Sequence, residues 1–276
     1  MSLDLTLHTA PVVPLEADIL TPGRLAGLSA LETAKLTVVH GNQSAELGEF
    51  FRVSGALDGE IHLTGDLARV KLIGAGMSEG RIVVHGSAGM HLGAGMSGGE
   101  ILVEGNAGDW VGPEMTGGRI VVRGNAGHMV GAAYRGSRVG LQGGEIVIFG
   151  NAGNEIGSGM RRGLIAIGGD SGDFTGVNLL AGTIVVLGQL GWRTGAGMRR
   201  GTIVSMHEVE LLPTFSFACT YRPIFLHLYF PYLKRLGLPV TDAQARGSYQ
   251  RWCGDAIELN RGEILLLESG DAVAAN

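Results

Sequence analysis

Only two cysteines occur in the chain, Cys219 and Cys253, far apart and in no Cys-x-x-Cys pair. An iron–sulfur cluster needs four ligands, so the chain cannot hold one alone, and the thiols read as reduced packing residues. Long apolar runs are also missing: none approaches the roughly 20 residues that cross a bilayer. The start, Met1-Ser2-Leu3-Asp4-Leu5-Thr6-Leu7, alternates apolar and polar residues. It lacks the basic n-region and apolar core of a secretory leader, which points to the cytoplasm. Excess positive charge is absent too, and a formal net charge of −5 argues against a nucleic-acid partner.

What the chain has instead is glycine, 48 of them, set at a period. The stretch Gly99-Glu100-Ile101-Leu102-Val103-Glu104-Gly105-Asn106-Ala107-Gly108 returns as Gly118 to Gly127 and again as Gly144 to Gly153. Leading glycines fall at 59, 80, 99, 118, 144, 163, 182 and 201, in steps of 21, 19, 19, 26, 19, 19 and 19 residues, and an eroded copy starts near Lys35. A fixed period of this kind marks a repeat array. The expected fold is therefore all-β: a right-handed parallel β-helix, or solenoid, of about nine coils of roughly 19 residues. Residues 1–34 are expected as an N-terminal cap, 35–205 as the β-helix, and 206–276 as a mixed helical C-terminal extension. Solenoid ends need such covers because an open edge is a pairing template.

Two residues after each leader stands Ile, from Ile61 to Ile203, and two further on an aliphatic from Leu63 to Val186. Period-2 alternation puts both series on one face, where each buried side chain contributes roughly 2 kcal/mol. The outward series Glu60, Arg81, Glu100, Arg119 and Glu145 alternates in sign, which favours one register. A second outward series, Val83, Leu102, Val121, Val147, Val185 and Val204, is aliphatic where solvent would be expected. Something must cover it, a terminal segment or a partner subunit; with Tyr134, Arg135 and Arg138 these positions are expected at a partner interface. The last three sit in an insertion of seven residues between Gly131 and Gly144, and solenoid insertions become loops, often on the contacting face. Met-Arg-Arg-Gly occurs twice, so Arg161, Arg162, Arg199 and Arg200 are candidates for docking carboxylates or a polyanionic cofactor tail. Between Ile224 and Leu236 a helix is expected, interrupted or restarted at Pro231.

No catalytic constellation emerges. The eight histidines show no HxH, HxxxH or HExxH spacing, and His62, His85 and His128 fall at different phases, so no metal ladder is expected. There is no Gly-x-Ser-x-Gly motif, and the outer acids alternate with arginines rather than clustering as a glycosidase requires.

The repeat Gly-x-Ile-x-Val-x-Gly-Asn-Ala-Gly-x-x-x-Gly resembles the Gly-x-Gly-x-Gly domain at the C-terminus of the large chain of glutamate synthase. With Leu211-Leu212-Pro213-Thr214-Phe215 and Gly254-Asp255…Arg261-Gly262-Glu263-Ile264-Leu265, it is more similar to the C subunits of formylmethanofuran dehydrogenase and of the related bacterial formyltransferase/hydrolase complex. The resemblance covers nearly the whole chain. It implies a non-catalytic scaffold in one-carbon metabolism, set among three other subunits: one amidohydrolase-like, one molybdopterin-oxidoreductase-like and one a formyltransferase. The methanofuran-type cofactor, tetrahydromethanopterin and metals belong to those subunits, and no cofactor or metal is implied for this chain. The moderate acidity leans toward the bacterial complex. Alternatives are a glutamate-synthase-like module in ammonia transfer and a self-contained β-helix hydrolase or lyase.

Overall fold

The protein is described by a computed structural model covering residues 2–268. Met1 and residues 269–276, the outer tips of the expected terminal caps, lie outside the described residues. In chain order the strands are β1 (Leu3–Leu7), β2 (Leu15–Glu16), β3 (Thr37–His40), β4 (Gln43–Glu46), β5 (Phe51–Gly55), β6 (Glu60–Thr64), β7 (Val70–Lys71), β8 (Arg81–His85) and β9 (Glu100–Val103). They continue with β10 (Arg119–Val122), β11 (Glu145–Ile148), β12 (Leu164–Ile167), β13 (Thr183–Val186), β14 (Thr202–Ser205), β15 (Ser216–Tyr221), β16 (Tyr249–Gly254) and β17 (Gly262–Leu267). Helices are short: α1 (Pro22–Leu25), α2 (Ala30–Ala34), α3 (Leu226–Leu236) and α4 (Asp242–Arg246).

The expected all-β, right-handed parallel β-helix of nine coils is not what these elements form. They make a 13-stranded mixed sheet, ordered β15-β16-β17-β14-β13-β12-β11-β10-β9-β8-β6-β1-β5, and a 4-stranded sheet, β4-β3-β2-β7. The large sheet is mostly parallel, but β1–β5, β15–β16 and β16–β17 are antiparallel. The physical reason lies in the composition of each repeat. Only the four or five residues after the leading glycine are extended, whereas the rest turn through left-handed glycines and meet the next repeat at single bridges such as Ala107↔Ala126 and Ala126↔Ala152. The copy near Lys35 folds instead as the antiparallel hairpin β3–β4 of the second sheet.

Within the large sheet the register expected from the repeat holds. Ile61, Ile82, Ile101, Ile120, Ile146, Ile165, Ile184 and Ile203 pair in sequence and are fully buried. Leu3 extends this row at one end and Ile264 of β17 at the other. Glycine is required at the leader because the turn is left-handed and crowded: a Cβ on Gly99 (φ 80°) would stand 2.6 Å from Met77 Cε and 2.7 Å from the Gly80 carbonyl oxygen.

The Asn of the Gly-Asn-Ala-Gly motif has a role that periodicity did not reveal. Asn106 Oδ1 accepts from the Asn125 N–H, Asn125 from Asn151, and Asn151 from Asp170, each at 2.8 Å. Three residues on, a parallel row runs from Asp109 through His128 and Asn154 to Asp173. At corners where the ladder is too sparse to satisfy every backbone N–H, these side chains supply the acceptor.

Candidate functional site

The outward aliphatic series is covered by the chain itself. Val121, Val147, Ala166, Val185 and Val204 form a second core with Leu226, Phe230 and Leu233 of α3, and with Leu238, Val240, Tyr249, Leu265 and Leu267. Val147, Val185 and Val204, expected at a partner interface, are thus buried under the chain's own C-terminal segment. Val83 is also buried, and Leu102 is half-buried at the margin of this core. The helix runs through Pro231 without restarting. It is held down by the Tyr232 hydroxyl donating to Glu145 Oε1 and by Arg123, which donates to the Leu236 carbonyl at 3.3 Å. A cation at that end opposes the partial negative charge of the helix C-terminus. Burial and the bond to Glu145 push the Tyr232 phenol up to about 12. The alternating charges do pair: Arg81 bridges Glu60 and Glu100 at 2.8 and 3.0 Å, and Arg119 bridges Glu100 and Glu145.

The 26-residue step leaves the register of β10 and β11 intact, since Arg119 still pairs with Glu145. The extra residues leave at Gly131 and return at Leu141, whose N–H donates to the Gly131 carbonyl at 2.8 Å. Tyr134 anchors this loop. Its N–H donates to Glu114 Oε1 at 3.1 Å, its hydroxyl lies 2.9 Å from His91 Nδ1, and its ring centroid is 4.8 Å from that of Trp110. Burial, with Glu114 adding to it, pushes the Tyr134 phenol up to about 12, and burial, with Lys71 adding to it, lowers His91.

His91 and Trp110 belong to a row of side chains at one left-handed corner, with Met129, Glu155, Phe174 and Arg193, all at φ 56–63°. Such φ values strain non-glycine residues; the N–H of each of Trp110, Met129, Glu155 and Phe174 bonds to the next repeat and holds it there. A second left-handed corner is glycine at 76, 95, 159 and 197, but Glu at 114 and Asn at 178. Those two exceptions were the available signal in the sequence that the insertion's surroundings are special, and spacing alone did not expose it.

Beneath the insertion lies a cavity of about 760 Å³ lined among others by Trp110, Arg135, Arg138, Glu155, Asn178 and Arg199. Of the arginines expected as an anion dock, the structure brings only Arg199 to this cavity, and Arg199 Nε also donates to Glu258 at 3.0 Å. Arg161, Arg162 and Arg200 are exposed and do not line it.

Two histidines at different phases of the repeat, His62 and His85, meet on neighbouring strands. His62 pairs with Val83, two residues before His85, so the rings are diagonal neighbours on one face. His62 Nδ1 lies 2.8 Å from His85 Nε2, and His85 Nδ1 lies 3.0 Å from Glu104 Oε2. The ring centroids are 5.1 Å apart at 11°, so the imidazoles lie side by side and nearly coplanar rather than face to face. This geometry shares a proton and leaves no space for a metal between the nitrogens. Among the described residues no group of three or more His, Cys, Asp or Glu could hold a metal ion, and no helix is long and apolar enough to cross a membrane. Cys253 is half-buried, but Cys219 is exposed rather than packed.

No protein-family model matches the chain. A stretch of 85 residues is 46% identical to the C subunit of the molybdenum-containing formylmethanofuran dehydrogenase 1 of Methanosarcina barkeri, covering 29% of this chain and 28% of that protein. A stretch of 91 residues is 39% identical to the C subunit of the formyltransferase/hydrolase complex Fhc of Methylorubrum extorquens, covering 32% of this chain and 34% of that protein. Over nearly its full length, the chain is similar to a chain in the crystal structure of the formyltransferase/hydrolase complex FhcABCD from Methylorubrum extorquens in complex with methylofuran. The TM-score is 0.88 at 37% identity, over 96% of this chain and 99% of that one.

Proposed function

The chain belongs to the family of C subunits of formylmethanofuran dehydrogenase and of the formyltransferase/hydrolase complex, and on that premise we propose that it is a non-catalytic organising member of a formyltransferase/hydrolase-type hetero-oligomer in one-carbon metabolism. Its neighbours in this reading are an amidohydrolase-like protein, a molybdopterin-oxidoreductase-like protein and a formyltransferase, which together interconvert formate, a formylated furan cofactor and a formyl-pterin. The observation that carries the proposal is the whole-chain agreement with the Methylorubrum chain at a TM-score of 0.88.

The contacting surface is assigned to what the fold leaves exposed and apolar. Because α3 covers the aliphatic series, the sticky surface moves to the outer side of that segment, where Ile224 and Leu228 are 80% and 77% exposed. Beside them a groove of about 810 Å³ opens between Phe225, Tyr229 and Tyr232 and the sheet residues Leu164, Thr183 and Thr202. Exposed apolar side chains clustered at a groove mark interaction sites more often than single ones do. Leu102 and the insertion residues Tyr134, Arg135 and Arg138 remain secondary contact positions.

Affinity purification of the tagged chain from its own cells, followed by mass spectrometry, tests the proposal. An amidohydrolase-like protein and a formyltransferase are expected in stoichiometric amount, and I224E/L228E is expected to release them while the chain stays folded. Recovery of the chain as a monomer with neither of them overturns the reading.

A further inference from the structure

The cavity under the insertion lies apart from the α3 groove and needs an explanation of its own. It is polar and concave, and its volume falls in the range of small-molecule sites. Three arginines, Arg135, Arg138 and Arg199, line it with a single acidic residue, Glu155. Arg199 is oriented by Glu258. Arg135 and Arg138 have no hydrogen-bond or ion-pair partner among the described residues, so their donors are available to a ligand. Arginines with unpaired donors lining one concavity are suited to a planar oxyanion, which arginine engages with two parallel bonds.

The backbone around the cavity is specialised in the same place. The loop carrying Arg135 and Arg138 occurs in one repeat alone, and it is fixed by Tyr134 to Glu114, one of the two positions where a left-handed glycine corner is replaced. The other replaced corner, Asn178, lines the cavity itself. The corner between the insertion and Asn178 keeps its glycine, Gly159, which also lines the cavity.

The geometry points to a binding site for a small molecule carrying two or more oxyanion groups, carboxylate or phosphate, held by Arg135, Arg138 and Arg199 beside the indole of Trp110. The inference does not rest on the place in the complex proposed above, and a partner subunit that touched the insertion would share Arg135 and Arg138 with the ligand. Its test uses isothermal titration of the full chain with citrate and, separately, with pyrophosphate. Saturable binding of either is expected, and the tighter of the two identifies the anion class. R135A/R138A is expected to weaken it about tenfold or more, with unchanged melting temperature because neither side chain has an internal partner. R135K/R138K keeps the charge but loses the fork and is expected to fall between. R161A/R162A removes the same charge outside the cavity and is expected to leave affinity unchanged. Absence of binding by both anions, or equal weakening by the two alanine pairs, overturns the inference.

Discussion

Replacing Gly112 with alanine separates two demands that the repeat places on its corner glycines. The backbone there is left-handed at φ 61°, and an added Cβ would stand 2.6 Å from Ile146 Cδ1 and 3.3 Å from Ile120 Cδ1. Left-handed φ alone costs an L-residue about 1–2 kcal/mol, and overpacking a tight core costs typically 1–3 kcal/mol, so G112A should lose roughly 2–5 kcal/mol. Gly95 provides the control: its φ is 62°, and an added Cβ would meet nothing within 4 Å. G95A should therefore lose only the backbone part, about 1–2 kcal/mol. Any gain from a stiffer unfolded chain is common to both and drops out of the comparison. I146V removes the offending Cδ1 and alone should cost about 0.5–1.5 kcal/mol. In the double variant the clash is relieved in part, because Ile146 Cγ1 stays 3.3 Å away. G112A and I146V should then be less than additive by about 1 kcal/mol or more. Equilibrium urea unfolding of the four variants and the wild type reads these differences. Equal losses for G112A and G95A, or additivity within about 0.5 kcal/mol, would refute the claim that side-chain crowding selects glycine at this corner.

His128 stands in a row otherwise made of Asn and Asp, with its Nδ1 accepting the Asn154 N–H at 2.9 Å. H128N should retain wild-type urea stability to within a few tenths of a kcal/mol, whereas H128A should lose about 1 kcal/mol by leaving that N–H without an acceptor. Phe230 is fully buried between α3 and the sheet; F230A should cost about 3–5 kcal/mol and raise hydrogen exchange across α3 more than across β8 and β9. Asp255 is buried, which raises its carboxyl pKa, but bonds from the Gly197 N–H and the Ile257 N–H, with the Thr214 hydroxyl nearby, outweigh this and hold it below the ordinary value. A depressed folded value means that the unfolded chain binds the proton more readily, so this contribution is present above about pH 4 and is lost as pH falls through the folded value. The stability gap between wild type and D255N should accordingly be widest near neutrality and shrink as the pH is lowered through that window; a gap that stays constant from neutrality down through it refutes the assignment.

Much of this protein is legible in its amino-acid sequence. The period, the leading glycines, the Ile row and the alternating Glu and Arg positions each follow from a short-range rule: one strand per repeat, side chains alternating in direction, and opposite charges on stacked neighbours. The aliphatic outer series was equally legible as a surface that something must cover, because apolar positions at strand period are visible in sequence whatever lies on top of them.

The sequence by itself determined the register of the repeat and the identity of the residues that face inward. Only the tertiary structure decided what caps and covers them: Ile264 completing the Ile row some 60 residues after Ile203, α3 lying over Val147 and Val185, and β1 and β16 turning a parallel stack into a mixed sheet. It also decided that His62 meets His85 across two strands, and that Arg135, Arg138 and Arg199 share one cavity while Arg161 and Arg162 do not. The physical reason is range. Strand alternation, turn conformation and charge pairing between successive repeats are written within about one period. Docking of a non-repeating segment depends on complementary shape between residues far apart in the chain, and no period records it.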